Sequence, residues 1–211
     1  MDRQLSAYLN GREPQVTTDI DVITAAVAVP LLAIDGEDHV LFTVRSQTLR
    51  RQPGEISFPG GHCESTDKTG ADAAIRECSE ELGIDTNQIE LLGSLDCLVS
   101  AIGVKLHAVV VRLHNDEFTP NPDEVGEIFT VPLSYLLTME PTVGHLDIGT
   151  KPLRDFPFHL LEGYQIDWKI RQNYSVYFYP YKQYTIWGLT GRVLKNFLDL
   201  YGQGKTINNE R

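Results

Sequence analysis

The sequence has few cysteines, no long apolar run and a deficit of positive charge. Its three cysteines, Cys63, Cys78 and Cys97, are odd in number and show no C-x-x-C spacing. This pattern disfavours a disulfide framework or a zinc site and favours a reduced, cytoplasmic protein. No apolar segment approaches the roughly 20 residues that a membrane helix needs. The start, MDRQLSAYLNG, also lacks the apolar core of a signal peptide, so we expect no membrane association.

Acidic residues clearly outnumber basic ones. The chain of 211 residues has 18 Lys and Arg against 29 Asp and Glu, which gives a formal net charge of -11. Such a charge argues against a nucleic-acid partner or an anionic membrane surface. It remains compatible with a small phosphorylated substrate, provided that metal ions shield the substrate from the field of the protein.

The pattern of apolar and turn residues predicts one domain with alternating strands and helices. A continuous apolar run and a following hairpin predict two strands, a long Gly- and Pro-rich loop precedes a clear helix, and Gly83 ends that helix. The predicted strands are 22–34, 39–45, 89–97 and 104–113, the helices are 71–82, 134–138 and 189–201, and the loops are 46–70 and 114–127. Residues 140–185 predict extra strands or a substrate-facing insertion. We therefore expect an α/β/α fold, a mixed sheet between helices, with a short N-terminal extension over residues 1–21.

The predicted helix 71–82 carries an unusual cluster of glutamates in the segment RECSEELGI. A helical wheel places Glu77, Glu80 and Glu81 together on one flank of the apolar stripe. Like charges at i, i+3 and i+4 repel each other, and the macrodipole disfavours anions near a helix C-terminus. Arg76 can neutralise part of this charge on a solvated face. The alternative is that the carboxylates bind a hard cation such as Mg²⁺ or Mn²⁺.

The loop before this helix favours the metal alternative. It contains FPGG at Phe58–Gly61, where Gly60 and Gly61 allow the backbone to approach a ligand closely. Asp67 then adds a fourth carboxylate. The glycine turn, the loop and the helix are thus expected to direct backbone and side-chain oxygens to one point.

These residues resemble the signature of the Nudix family. Residues 61–84, GHCESTDKTGADAAIRECSEELGI, are similar to the Nudix box, in which a glycine and a glutamate precede R-E-U-x-E-E-x-G-U (U is aliphatic). The second half matches from Arg76 to Ile84, with Cys78 at an aliphatic position. In the first half Asp67 replaces a glutamate, and one extra residue separates it from Arg76.

Both departures are typical of the subfamily that resembles coenzyme A pyrophosphatases. That subfamily carries an upstream signature, LLTxR[SA], three residues, R, three residues, G, three residues, FPGG. Residues 41–61, LFTVRSQTLRRQPGEISFPGG, follow it in register, with Phe42 in place of one leucine. The stretches 121–137 and 184–194 are also similar, so the resemblance covers most of the chain.

The resemblance implies a Nudix fold and the hydrolysis of a diphosphate bond with Mg²⁺ or Mn²⁺. For coenzyme A the products would be 3′,5′-ADP and 4′-phosphopantetheine. By the family pattern, Glu77 and Glu81 would be the principal metal ligands and Glu80 would join a second or bridging site. The Gly61 carbonyl would complete the ligand shell, and Arg76 would orient the glutamates through charge-assisted hydrogen bonds.

The same resemblance suggests the general base and the substrate contacts. The base would be a loop glutamate, either Glu124 or Glu127, although both also fit as surface charges. Arg45 and Arg50 would pair with substrate phosphates, with surface solubility as the alternative for each. A homodimer is implied by the resemblance alone. Two other functions stay open: hydrolysis of ADP-ribose or another nucleoside diphosphate derivative, and a non-catalytic nucleotide-binding module.

Overall fold

The computed structural model describes residues 2–13, 21–161 and 163–209. The helices are α1 (Asp2–Asn10), α2 (Gly70–Leu82), α3 (Leu133–Thr138) and α4 (Gly188–Asn209). The first strands are β1 (Ile23–Ile34), β2 (Glu37–Arg45), β3 (Ile56–Ser57), β4 (Gly60–His62), β5 (Ile89–Ser94), β6 (Leu98–Val99), β7 (Val104–Leu113) and β8 (Val125–Pro132). They are followed by β9 (Thr142–Thr150), β10 (Lys169–Tyr181) and β11 (Tyr184–Ile186).

A mixed sheet forms the centre of the molecule. Its strand order is β3-β2-β1-β7-β5, while β4 pairs with β1, β6 with β7, and β8 with β2. Only β1 and β7 run parallel among these pairs. The apolar run of β1 is continuous because the strand is buried on both faces: Ala26 and Ala28 face one core cluster and Val29 the other. The predicted mixed sheet is confirmed.

Helix α2 begins and ends where local chemistry dictates. Thr69 and Asp72 form a capping box, in which each side chain accepts a hydrogen bond from the backbone N–H of the other residue. Gly83 ends the helix in a left-handed conformation with φ of 64°, and its N–H donates to the Ser79 carbonyl. The predicted helix and its glycine stop are confirmed.

Helices cover both faces of the sheet, as the α/β/α prediction requires. On one face α2 buries four side chains against β1 and β7: Ala73, Ala74, Cys78 and Leu82. On the other face α4 contributes Val193, Leu194 and Phe197 to a second core. Cys78 is thus a core residue. Helix α4 runs to Asn209, beyond the predicted end at Tyr201.

Several details differ from the sequence prediction. The predicted loop 46–70 contains the short strands β3 and β4, and the predicted strand 89–97 ends at Ser94. Residues 140–185 contain β9, β10 and β11, which form a separate three-stranded sheet. The predicted N-terminal extension includes helix α1, while residues 14–20 of it lie outside the described residues. Among the described helices, none is long and apolar enough to cross a membrane.

Candidate active site

Two glycines bring the β4 backbone against β1 and α2. Gly60 pairs with Val27 and Gly61 with Ala26 in the antiparallel β1–β4 ladder. A Cβ at position 60 would stand 2.3 Å from the Ala26 carbonyl oxygen, and one at position 61 would stand 2.5 Å from the carboxylate of Glu77. No side chain fits at either position without displacing its neighbour. The two glycines thus allow the backbone to approach β1 and α2 closely, and the approach to a ligand stays a prediction.

The three glutamates of α2 differ sharply in exposure. Glu81 is 5% exposed as a residue, and the Glu77 side chain is 16% exposed. The Glu80 side chain is 57% exposed. Placement on one flank of the apolar stripe explains this gradient, because the flank passes from the buried face to solvent. Glu77 and Glu81 therefore lie in a desolvated environment, and Glu80 lies at its rim.

Arg76 connects the glutamates to the loop before the helix. Its Nη1 donates to Glu77 at 2.9 Å and to Glu80 at 3.2 Å. Its Nη2 donates to the His62 carbonyl at 3.1 Å, and its Nε and Nη2 bind both carboxylate oxygens of Asp67. Arg76 therefore fixes the orientation of Glu77, Glu80 and Asp67 together. This is the arrangement that the resemblance implied for Arg76.

Asp67 differs from its sequence prediction. The expectation was that this fourth carboxylate would point to the same place as the glutamates. Instead it forms a bidentate pair with Arg76, and it also accepts a hydrogen bond from the Glu64 backbone N–H at 2.8 Å. These contacts hold the pKa of Asp67 below its usual range. Asp67 contacts Arg76 and the loop backbone and stands behind the glutamates.

Glu81 carries the most strongly perturbed carboxyl group of the site. Burial raises its pKa to about 8, and repulsion from Glu124 and Glu77 adds to the effect. Arg45 and the Gly60 backbone N–H oppose it only in part. One carboxyl oxygen, Oε2, is buried and has no hydrogen-bond partner. A buried oxygen in this state is costly unless another group binds it.

Glu77 is perturbed in the same direction. Burial raises its pKa, while the hydrogen bond and charge of Arg76 oppose the rise, and Glu80 and Glu124 add repulsion. Because Glu124 raises the pKa of both Glu77 and Glu81, its carboxylate acts on the same small region. The glutamates thus form a mutually repelling group in a partly desolvated place.

Arg45 reaches this region from the end of β2. Its charge lowers the pKa of Glu81, yet its buried Nε has no hydrogen-bond partner. An irregularity in the β2–β8 ladder lies here: Val44 pairs with Glu127, while Arg45 pairs with Val125. Such bulges redirect side chains and are frequent next to active sites. An unpaired guanidinium nitrogen and an unpaired carboxyl oxygen therefore occur in one region.

The structure separates the two candidate bases. Glu124 precedes β8, and its backbone carbonyl accepts a hydrogen bond from the Ser46 N–H at 2.8 Å. Its side chain is exposed and acts electrostatically on the α2 glutamates. Glu127 instead accepts a hydrogen bond from the Tyr184 hydroxyl of β11. Glu127 is not among the main influences on the pKa of Glu77 or Glu81, whereas Glu124 is among them for both.

In the described structure Arg50 lies apart from the glutamates, and Tyr184 contacts Glu127. Arg50 is exposed on the loop after β2, and no described contact joins it to the glutamates. The ring of Tyr184 stacks on Phe129 with centroids 3.8 Å apart. Its hydrogen bond to Glu127 was missed, because no local pattern indicates a contact across 57 positions.

The donor chemistry of the site fits a hard divalent cation. Carboxylate oxygens of Glu77 and Glu81 and the backbone at Gly61 lie together, and Oε2 of Glu81 lacks a partner. Across the described residues, however, no three Asp, Glu, His or Cys side chains are arranged as a ready-made metal site. The carboxylates of Glu77 and Glu80 form ion pairs with Arg76 instead. A cation would therefore compete with Arg76 for these two carboxylates.

Comparison with known proteins identifies relatives of this chain. A family model for the NUDIX domain matches residues 24–146. Peroxisomal coenzyme A diphosphatase NUDT7 of Mus musculus is 41% identical over 138 residues, which cover 65% of this chain and 58% of that protein. Mitochondrial coenzyme A diphosphatase NUDT8 of Homo sapiens is 38% identical over 118 residues, which cover 54% of this chain and 50% of that protein. The chain thus matches less than two thirds of either relative.

A bacterial relative matches over a longer range. The uncharacterized Nudix hydrolase NudL of Photorhabdus laumondii is 33% identical over 176 residues, covering 81% of this chain and 80% of that protein. The family model alone covers more than half of the chain, and it includes β4, α2 and the segment that carries Glu124. On these two matches, the chain belongs to the Nudix family.

Proposed function

We propose that the protein is a metal-dependent diphosphatase that cleaves the diphosphate bond of coenzyme A or its derivatives. The products would be 3′,5′-ADP and 4′-phosphopantetheine or its acyl form. One observation carries the proposal: Oε2 of Glu81 and Nε of Arg45 are both buried without a partner in one region. An oxygen that prefers a cation and a guanidinium that prefers a phosphate suit a metal–diphosphate ligand.

The α2 glutamates are the proposed metal ligands. Glu77 and Glu81 would hold Mg²⁺ or Mn²⁺, with Glu80 in a second or bridging position and the Gly61 carbonyl completing the shell. A divalent cation bound there supplies charge neutralisation for the diphosphate and a more acidic bound water. Arg76 orients Glu77 and Glu80, and Asp67 holds Arg76 in place through two hydrogen bonds. Arg76 thus holds Glu77 and Glu80 beside the site, and a bound cation would compete with it for these two carboxylates.

Glu124 is the better candidate for the general base. It lies within electrostatic reach of Glu77 and Glu81, where a reacting water would have to be deprotonated. Glu127 already accepts a hydrogen bond from Tyr184 and is not among the main influences on those glutamates. We therefore assign proton removal to Glu124. Glu127 is assigned a structural role beside the aromatic pair of Tyr184 and Phe129.

Coenzyme A is preferred over other diphosphates on two grounds. Residues 41–61 follow the upstream signature of the coenzyme A subfamily, and two relatives are named coenzyme A diphosphatases. Arg45 is the proposed contact for the diphosphate, and the exposed Arg50 is proposed to contact a more distant phosphate of the substrate. ADP-ribose or another nucleoside diphosphate derivative is the alternative substrate. A non-catalytic nucleotide-binding module is the alternative of another class.

We further propose that the chain works as one catalytic unit. The second sheet supports this proposal, because β10 packs against α4, and α4 closes the core of the first sheet. A cytoplasmic location is proposed from the three free cysteines. The named relatives are peroxisomal in the mouse and mitochondrial in the human, so fractionation of the native host should test the location directly.

A substrate panel tests the reaction. The protein is incubated with Mg²⁺ or Mn²⁺ and coenzyme A, acyl-coenzyme A, ADP-ribose, NADH or diadenosine polyphosphates, and the products are separated by chromatography. We expect 3′,5′-ADP from coenzyme A, and no product in the presence of a chelator. Cleavage of ADP-ribose with coenzyme A left intact would refute the substrate assignment. Binding of nucleotides without any cleavage would favour the non-catalytic module.

Matched variants test the base. Glu124→Gln should lower kcat by roughly 100-fold or more, the usual contribution of a general base, with little effect on KM. Glu127→Gln is the control at the neighbouring exposed glutamate and should leave kcat within about threefold, because residues outside the reacting centre have small effects. Equal losses in both variants, or a larger loss in Glu127→Gln, would contradict the assignment.

A further inference from the structure

The described strands differ in how well their free edges are protected. In the first sheet, β5 is interrupted by a bulge between Leu91 and Gly93, and β8 carries Glu127 and ends at Pro132. Strands β3, β6 and β11 have only two or three residues each. Bulges, charges, proline and short length are the devices by which proteins keep strand edges from pairing with other chains.

Strand β9 has fewer of these devices, with Asp147 as its one acidic side chain. It has nine residues, pairs only with β10 among the described strands, and contains neither proline nor lysine. The irregularity of its hairpin falls on β10, between Ile170 and Gln172, so β9 itself is regular. Two apolar side chains remain exposed along it, Val143 at 45% and Leu146 at 50%. The outer edge of β9 is therefore long, regular and open.

The sequence of β9, TVGHLDIGT, is complementary to itself when two copies run antiparallel about Leu146. His145 then lies opposite Asp147 of the second copy, and this pair occurs twice by symmetry. Val143 lies opposite Gly149, Ile148 lies opposite Gly144, and Leu146 meets Leu146 of the second copy at the axis. The two ends match Thr142 with Thr150. Complementary polar side chains directly opposite each other stabilise antiparallel strands.

Symmetry selects this register over its neighbours. A two-fold axis perpendicular to the sheet leaves each side chain on the same face of the sheet in both copies. Two residues can therefore lie opposite each other only when their residue numbers differ by an even number. The registers on either side are therefore centred on His145 or on Asp147. The first places His145 against itself, and the second places two carboxylates directly opposite, which is destabilising. Only the register centred on Leu146 pairs all nine residues and places His145 opposite Asp147.

We propose that the β9 edge is the interface of a homodimer, in which β9 pairs antiparallel with β9 of a second copy about a two-fold axis at Leu146. The two three-stranded sheets then join into one continuous six-stranded sheet. Self-complementary contact of this kind is the rule for two-fold dimers. His145 and Asp147 have no hydrogen-bond or ion-pair partner among the described residues, so both are available for the second copy. The proposal does not depend on the proposed catalytic function.

The mass of the protein in solution provides the first test. Sedimentation velocity over a range of concentrations should show a dimer, and Leu146→Lys should shift it to monomer because two lysines would meet at the axis. Val99→Lys is the control, since Val99 is a comparably exposed aliphatic residue on β6. Circular dichroism verifies that both variants fold. A monomeric wild type, or equal effects of both variants, would overturn the proposal.

A charge exchange identifies the register. His145→Asp alone and Asp147→His alone each place like side chains opposite one another twice, and each should weaken dimerisation about tenfold or more. The double variant again places a histidine opposite an aspartate, in the reversed order, so its dimer constant should return to within about threefold of the wild type. Single variants that dimerise normally would show that another surface is used. Failure of the double variant to restore the dimer would refute this register.

Discussion

Replacing Glu81 by glutamine should stabilise the metal-free protein in alkaline solution. Burial raises the pKa of Glu81 to about 8, well above the value of about 4.5 for an exposed glutamate. The folded protein therefore keeps the proton at pH 6, whereas the unfolded chain has lost it. Because the folded state binds more protons, the free energy of unfolding falls as pH rises from about 4.5 to 8. Glu81→Gln has no proton to lose there and should not show this fall.

The size of the effect follows from the pKa. One pH unit in this window corresponds to about 1.4 kcal/mol per proton, and pH 6 to pH 8 spans two units. Ionisation of Glu81 should therefore lower the free energy of unfolding by about 3 kcal/mol between pH 6 and pH 9. For a chain of this length, that is roughly 5 to 10 °C in Tm. The glutamine variant should match the wild type near pH 6 and exceed it at pH 9.

Thermal melts with a chelator, followed by circular dichroism from pH 6 to pH 9, measure this directly. Glu80→Gln is the control, because its side chain is 57% exposed and the same charge change should leave the pH dependence of Tm intact. Added Mg²⁺ or Mn²⁺ should raise the Tm of the wild type at pH 9 and not that of Glu81→Gln. The reasoning fails if Glu81→Gln loses as much Tm as the wild type between pH 6 and pH 9.

Three further substitutions test individual contacts. Tyr179→Phe removes a buried hydroxyl that has no hydrogen-bond partner, so urea denaturation should show a gain of about 1 kcal/mol, and a loss would reveal a bound partner. Gly83→Ala places a Cβ 2.0 Å from the Thr119 carbonyl oxygen at a residue whose φ is 64°. Urea denaturation should therefore show that the free energy of unfolding falls by about 2 kcal/mol or more, and an unchanged value would refute this close contact. Gly61→Ala would displace the Glu77 carboxylate, so kcat for coenzyme A should fall on the order of 100-fold while Tm changes little; unchanged kcat would separate Glu77 from catalysis.

The central sheet and helix α2 were predictable because their signals are local. The apolar run of β1 reflects burial on both faces, and the helical spacing of the apolar residues in α2 reflects burial on one. Gly83 ended the predicted helix for the reason found in the structure, a left-handed backbone. The capping box of Thr69 and Asp72 is also a local pattern, and it predicts the start of α2. Helix α1 has only nine residues and lies in the segment interpreted as an extension, and it was missed.

The partners of the charged residues were not predictable in the same way. Asp67 and Arg76 are nine positions apart, and only the folded loop shows that they form a bidentate pair. Glu124 and Glu127 look alike in sequence. The structure distinguishes them by the bulge opposite Arg45 and by Tyr184, which comes from the second sheet. Contacts between distant segments thus decided what each charge does.

The balance of charge in the site explains why a cation belongs to the proposed reaction. Two guanidinium groups, those of Arg45 and Arg76, share the region with five carboxylates: Asp67, Glu77, Glu80, Glu81 and Glu124. Arg76 is occupied by Asp67, so little positive charge is left for a diphosphate. A substrate of that kind adds further negative charge to a chain whose formal net charge is already -11. Divalent cations resolve both problems at once, because they let Glu81 ionise and let the diphosphate approach. In the proposed reaction, a bound metal would therefore offset the charge of both the acidic cluster and the diphosphate.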